Sequence, residues 1–383
     1  MKNNTFFKLL AVLPLLLMGC QKDIQQAPPP LQLDESRYYK PSDSYLRALD
    51  ALTIPPTDIS SRNSCQWTEL AAGSNNALAA AITNACAGGV IYLKNGVHTE
   101  TNPITITKSI IIIGEAGAIL KVNTQLSHLN ASGNYRINPF IHFLNAPRSA
   151  VLDLNIQPIG TNGSTAILFE NSHESGVIRS KFTGFQSAVI LENSDRMAIM
   201  RNTIVGTSAW KTDPNLQAQS IIIMNGLSAY VSDNDISNSA VGIWPCSKWG
   251  TCERNYTHGD FIGIILCNVA RFIIMPNGQL TGSLSPATGW KIRNNNSTDN
   301  FNIGYIVADG SNHNLLENNN AARNALYDME LLADSYRFGF LTPFVYDNVV
   351  IAGAFSNIRI KDCGKNNTVI GGIRVNTTTD PCN

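Results

Sequence analysis

The stretch Ala166-Ile-Leu-Phe-Glu-Asn171 returns as Ala188-Val-Ile-Leu-Glu-Asn193, Ser220-Ile-Ile-Ile-Met-Asn225, Gly242-Ile-Trp-Pro-Cys-Ser247 and Gly263-Ile-Ile-Leu-Cys-Asn268, with a weaker copy at Gly304-Tyr-Ile-Val-Ala-Asp309. Successive last residues lie 22, 32, 22, 21 and 41 apart. The 32 is one period with an insertion at 206–217, and the 41 is nearly two periods with extra chain at 276–289. A second phrase follows in each period, placing an Asn after a short apolar run: Asn202, Asn234, Asn255, Asn295 and Asn318. Short β-rich segments recurring every twenty-odd residues predict coils of a parallel β-helix, each burying its inward side chains on the next. An Asn repeated at one corner predicts a stacked hydrogen-bonded ladder that satisfies the backbone at the bend.

These phrases resemble the coils of the pectin-lyase-like superfamily of right-handed parallel β-helices, over roughly residues 65–375. The resemblance extends to Asn76–Cys86, read as an amphipathic helix that plugs the open end, and to Gly88–His98 and Pro103–Gly114, read as the first coils. The expected fold is therefore all-β: a single-stranded right-handed solenoid with an N-terminal capping helix. The superfamily holds lyases, hydrolases, epimerases, adhesins and binding proteins, so the resemblance speaks for fold and leaves activity open.

In the resembled enzymes, sugar chains lie in a groove over the outward side of the first strand of each coil. Alternation assigns Ile167, Phe169, Val189, Leu191, Ile221 and Ile223 inward. Leu168, Ile190, Ile222, Trp244, Ile265 and Ile306 then point outward, accompanied by Glu170, Glu192, Met224, Cys246, Cys267 and Ala308. No Asp cluster that would hold calcium appears on this column, which disfavours a calcium-dependent uronate lyase. Glu170 and Glu192, one coil apart, have the spacing of paired carboxylates in a retaining glycosidase. His258 and Asp260 are the other candidate catalytic groups, with Trp244 and Lys248 as substrate contacts. Arg179 and Arg201 are candidates for binding an acidic sugar, and Trp210, Trp249 and Trp290 for stacking on sugar rings. Each has a bland alternative as a surface or core residue. No metal or cofactor is expected, and a noncatalytic structural or adhesive role is the alternative to a polysaccharide lyase or glycoside hydrolase.

Residues 1–20 have the form of an export signal, with Lys2 and Lys8 before an apolar run at 9–18 that is too short to span a bilayer. Leu17-Met18-Gly19-Cys20 resembles the bacterial lipobox, which implies acylation of Cys20 and, with Gln21 following, anchoring in the outer membrane. Residues 21–63 are polar and Pro-rich and predict a semi-extended tether, interrupted by a possible short helix at Asp43–Leu52, before a β-helix domain at 64–383. The 28 basic and 28 acidic residues balance, which excludes a nucleic-acid partner that depends on surplus positive charge. Export puts the cysteines in an oxidising compartment. Cys65 and Cys86 flank the capping helix, Cys363 and Cys382 bracket the last coil, and each pair would pin a solenoid end. Cys246 and Cys267 fall at equivalent positions of adjacent coils, within disulfide range, with Cys252 nearby.

Overall fold

Alternation along the repeated phrase decides what each coil buries. The computed structural model of the chain describes residues 33–52, 65–213, 215–216, 218–267, 273–280, 286–333, 335–337, 340–342, 344–352, 357–375 and 382. The leader, Cys20 and the tether outside 33–52 lie beyond those residues. Ile167, Phe169, Val189, Leu191, Ile221 and Ile223 join one continuous core, whereas Leu168, Ile190 and Ile222 belong to a separate buried cluster. The two columns thus face opposite ways, as a period of two requires.

Among the described residues two long sheets, of 12 and 19 strands, carry the body, and their strands pair in parallel, coil on coil. A representative coil runs through Ala198–Met200, Thr203–Gly206 and Gln219–Leu227. The first of these lies in the smaller sheet, and the other two form the second and third faces within the larger. Those faces are one sheet because Lys181–Glu192 turns the corner between them without a break. The result is a right-handed parallel β-helix.

Polar ladders hold the corners. Between the first and second faces, Ser180 N–H donates to Asn202 Oδ1 (2.9 Å), and the chain continues from Asn202 to Asn234 (2.9 Å), Asn255 (2.8 Å), Asn295 (2.9 Å) and Asn319 (3.0 Å). These side chains are buried, and each amide satisfies groups that would otherwise lose water unpaired. Arg179, Arg201, Asp233 and Arg254, immediately before ladder residues, have φ between 52° and 56°. The left-handed bend lets each N–H reach a carbonyl of the next coil, offsetting its local cost.

Both ends are closed covalently. Helix α2 (Leu78–Asn84; α1 is Asp43–Leu52, below) buries Leu78, Ala81 and Ile82 on the first coils, and the Glu100 carboxylate accepts the Leu78 N–H at 2.7 Å. Cys65 is bonded to Cys86 and Cys363 to Cys382, with Cα separations of 4.9 and 5.3 Å. Cys246, Cys252 and Cys267 are free thiols, all buried. Cys252 sits in the solenoid interior, and the other two lie in the outward cluster.

Two features depart from the expectations. Residues 33–52, expected as spacer, are docked on the solenoid, in one compact unit spanning Leu33–Asn383. Helix α1 carries an apolar stripe in which Leu49 is buried, and Tyr45, Leu46 and Leu52 pack against the cluster on the first face that holds Trp67, Val90, Tyr92 and Ile113. Ahead of it, Lys291 Nζ meets both Glu35 oxygens (2.6 and 2.5 Å), and Tyr38 donates to the Gly289 carbonyl (2.5 Å). The second departure is a roof. Tyr135–Arg136 pairs in parallel with Ile273–Ile274, and the Ile137 N–H reaches the Ile274 carbonyl at 2.9 Å. Tyr135, Ile137, Ile273 and Met275 close over Leu168, Ile190, Ile222, Trp244, Ile265 and Ile306. The column expected as the floor of an open groove is here a second core. Leaving six large apolar side chains in water would cost roughly 1.5–3 kcal/mol each.

Candidate functional site

At the early edge of the roof the outward side chains turn polar. Along the strand ends, Leu144, Glu170, Glu192, Met224 and Cys246 are register partners in succession. Met224 and Cys246 are sealed in the roofed cluster, whereas Glu170 and Glu192 are only partly buried. Two residues back, His142 is the register partner of Leu168, so it stands on the same outward side as Glu170. Its Nε2–H donates to Glu170 Oε2 at 2.9 Å, with the side chains 10% and 15% exposed. Burial pushes the His142 imidazole down from its ordinary value, against the opposing pull of Glu170.

Glu192 sits in a different environment from Glu170. Burial pushes its carboxyl up, the neighbouring Glu170 pushes the same way, and the Asn225 amide opposes both by donating to Oε1 at 2.8 Å. Its other oxygen, Oε2, is buried without a hydrogen-bond partner among the described residues. A carboxyl pushed up by burial beside a second one held by a histidine is the arrangement that separates acid from base or nucleophile. Register places the two backbones one interstrand spacing apart, about 4.8 Å, on adjacent coils, with Glu170 bonded toward the preceding coil and Glu192 toward the following one.

The remaining candidates are dispersed. Trp244 is 7% exposed under the roof, its indole N–H directed at Cys267 Sγ. Lys248 is exposed at the end of its strand. His258 stacks on Tyr256 (centroids 4.3 Å apart) and contacts Asp235 Oδ1 at 3.1 Å, on the second face. Asp260 follows His258 by two residues but points inward and is fully buried, as a rung of another corner ladder: its Oδ1 accepts the Ser239 N–H (2.7 Å), and its own N–H donates to Asn300 Oδ1 (3.1 Å). Burial pushes its carboxyl well above the usual range. Arg179 and Arg201 belong to the left-handed corner between the first and second faces, away from the carboxylate pair. Arg179 is engaged by Asp153 (2.8 and 2.9 Å) and Asp50 (2.7 Å), whereas Arg201 is exposed. The structure therefore brings together Glu170 and Glu192 and leaves His258, Asp260, Trp244, Lys248, Arg179 and Arg201 elsewhere.

His142 is the residue that sequence reasoning missed, although a signal was present. Phe140-Ile-His-Phe-Leu-Asn145 is another copy of the repeated phrase, 26 residues before Ala166–Asn171. Its strand, Pro139–Leu144, pairs in register with Gly163–Glu170. Among the described residues, no group of three or more His, Cys, Asp or Glu side chains is placed to hold a metal ion. A cavity of ≈ 540 Å³ lies round the corner from Glu192, lined by Arg37, Tyr38, Asp195, Arg196, Ser228 and Trp249.

No protein-family model matches the chain, and no curated protein matches its sequence. Solved structures match its fold. A family 28 exopolygalacturonase from Yersinia enterocolitica aligns with a TM-score of 0.52 at 10% identity, over 80% of this chain and 75% of that one. A tailspike protein of Escherichia coli bacteriophage HK620, solved with a hexasaccharide, aligns with a TM-score of 0.52 at 11% identity, over 88% of this chain and 60% of the tailspike chain. The chain thus has the right-handed parallel β-helix fold of these solved structures.

Proposed function

We propose that the chain is a polysaccharide-processing protein of the bacterial envelope, a glycoside hydrolase in which Glu192 is the acid and Glu170 the nucleophile. The observation that carries this reading is the Glu170–Glu192 register pair with His142 on one carboxylate and burial raising the other. In the first step Glu192 protonates the leaving glycosidic oxygen as a Glu170 oxygen bonds to the anomeric carbon. In the second, Glu192 takes a proton from water, whose oxygen displaces Glu170 and restores both carboxyls. His142 donates to the Glu170 oxygen not engaged in attack and fixes its orientation. Hydrolysis fits better than elimination, because no Lys or Arg contacts either carboxylate among the described residues, and a lyase must neutralise its uronate. The names of the two fold neighbours, one an enzyme of polygalacturonate and one a tailspike holding a hexasaccharide, support a glycan polymer as the ligand class. The Leu17–Cys20 pattern supports a lipid anchor on Cys20 and an outer-membrane location, which loss of palmitate labelling in Cys20→Ser tests.

One observation favours the second reading, a noncatalytic structural or adhesive protein: the roof fills most of the outward column that a bound chain would occupy. Reducing-end release from a panel of neutral and acidic polysaccharides by the 21–383 chain separates the readings. Turnover that falls about 10³-fold in Glu192→Gln supports the hydrolase. Binding without turnover supports the adhesive role, and an unsaturated product absorbing in the ultraviolet would replace hydrolysis by elimination.

A further inference from the structure

We propose that the corner between the second and third faces carries a second glycan-binding surface, an aromatic platform built on Trp210, Phe261 and Phe301 that takes a neutral polysaccharide along the solenoid axis. Phe261 and Phe301 each follow a residue of the Asp260–Asn300 ladder, and their N–H groups bond to Ser239 and Asp260 carbonyls, one coil back in each case. Equivalent placement on successive coils repeats the rings at the interstrand spacing of about 4.8 Å. Trp210, on the short 3₁₀ turn Ser208–Lys211 of the inserted loop, meets both edge-on, with centroids 6.1 and 6.2 Å away. Its indole N–H is already satisfied by the Asn238 carbonyl at 3.1 Å, which holds the ring in place.

The two phenylalanine rings stand in water, and Trp210 is partly buried. Phe261 is 41% exposed and Phe301 54%, with Leu326 (48%) and Tyr256 (37%) on the neighbouring positions. Exposed apolar area gathered in one patch is a mark of an interaction surface. The charge around it selects the partner. His258 is engaged with Asp235 (3.1 Å) and Arg323 with Asp299 (2.6 Å), while Lys211 lies 4.7 Å from the Phe301 ring centroid. Opposite charges are thus largely matched within the patch, so neither an acidic nor a basic polymer gains from it. Exposed rings on a surface that also carries amide groups, such as the exposed Asn320–Asn296 pair (2.8 Å), suit a ligand with apolar ring faces and a hydroxyl rim. A protein or lipid partner would call for a wider continuous apolar area.

Affinity electrophoresis of the full-length chain through gels containing xylan, mixed-linkage β-glucan, galactan or polygalacturonate tests this. At least one neutral polymer should retard the chain. Phe301→Ala combined with Phe261→Ala should weaken that retardation about tenfold, whereas Phe301→Tyr, which keeps the ring, should preserve it. Retardation should persist in Glu192→Gln, so failure of the proposed catalytic pair and failure of the platform are distinguishable. The proposal is overturned if no neutral polymer retards the wild type, if the double alanine variant is retarded equally, or if the substitutions instead abolish self-association seen by sedimentation.

Discussion

The same outward column has two fates in one molecule. Over the middle coils, Leu168, Ile190, Ile222, Trp244 and Ile265 are roofed by Tyr135, Ile137, Ile273 and Met275 and behave as core. At the early edge, Glu170 and Glu192 are register partners and His142 stands on the same side two residues back; His142 is tied to Glu170, and Glu192 to Asn225. Strand geometry treats the two regions alike, since it fixes only direction. What separates them is whether loops from the adjoining corners meet above the strand, and the side-chain chemistry follows that covering: apolar under it, ionisable beside it.

Substitutions in the two regions should therefore fail differently. Glu192→Gln should cut turnover of a responsive polysaccharide about 10³-fold, roughly 4 kcal/mol, and leave the melting temperature near that of the wild type. Trp244→Ala should do the reverse: a loss of about 3 kcal/mol or more in denaturant unfolding, because a large cavity opens under the roof. If Trp244→Ala folded with wild-type stability, the roof would not be a second core. His142→Ala should lower turnover about tenfold with KM little changed, since the Glu170 carboxylate loses the group that orients it. Unchanged turnover would leave His142 a packing residue only.

The smallest effect is expected at Asp260, which replaces an amide in its ladder. Burial raises this carboxyl in the folded chain, so the native state binds a proton that the unfolded chain releases above its ordinary value of 3.8. Its contribution to stability is present below that pH and is lost as pH rises toward the folded value. Asp260→Asn should then stabilise the chain by about 1 kcal/mol at neutral pH, with the gain disappearing near pH 4. Equal stabilisation at both pH values would contradict the account.

Much of this was legible in the sequence because a solenoid repeats its instructions. The phrase ending at Asn171 and Asn193 sets the coil period, the Asn202 to Asn295 series sets a corner, and Cys65, Cys86, Cys363 and Cys382 stand at the two ends. The helix at Asp43–Leu52 was also readable, but its seat was not, since an amphipathic stripe does not name the surface that receives it. The roof escaped for a related reason: its two short strands come from insertions some 140 residues apart and carry no period. Asp260 reads as a polar turn residue, and only the coil beneath shows it facing inward. Glu170 and Glu192 were found because pairing between adjacent coils is fixed by the repeat itself, whereas His142 was passed over because its coil is four residues longer than the commonest period.

The claim on which the functional reading rests is that burial at the edge of the roof raises the Glu192 carboxyl beside Glu170. Titration of the side-chain carboxyl carbons of ¹³C-labelled glutamates, with Glu192 assigned by its disappearance in Glu192→Gln, measures this without any substrate. The account predicts a Glu192 midpoint clearly above the ordinary 4.5. A midpoint at or below that value would contradict the proposed acid.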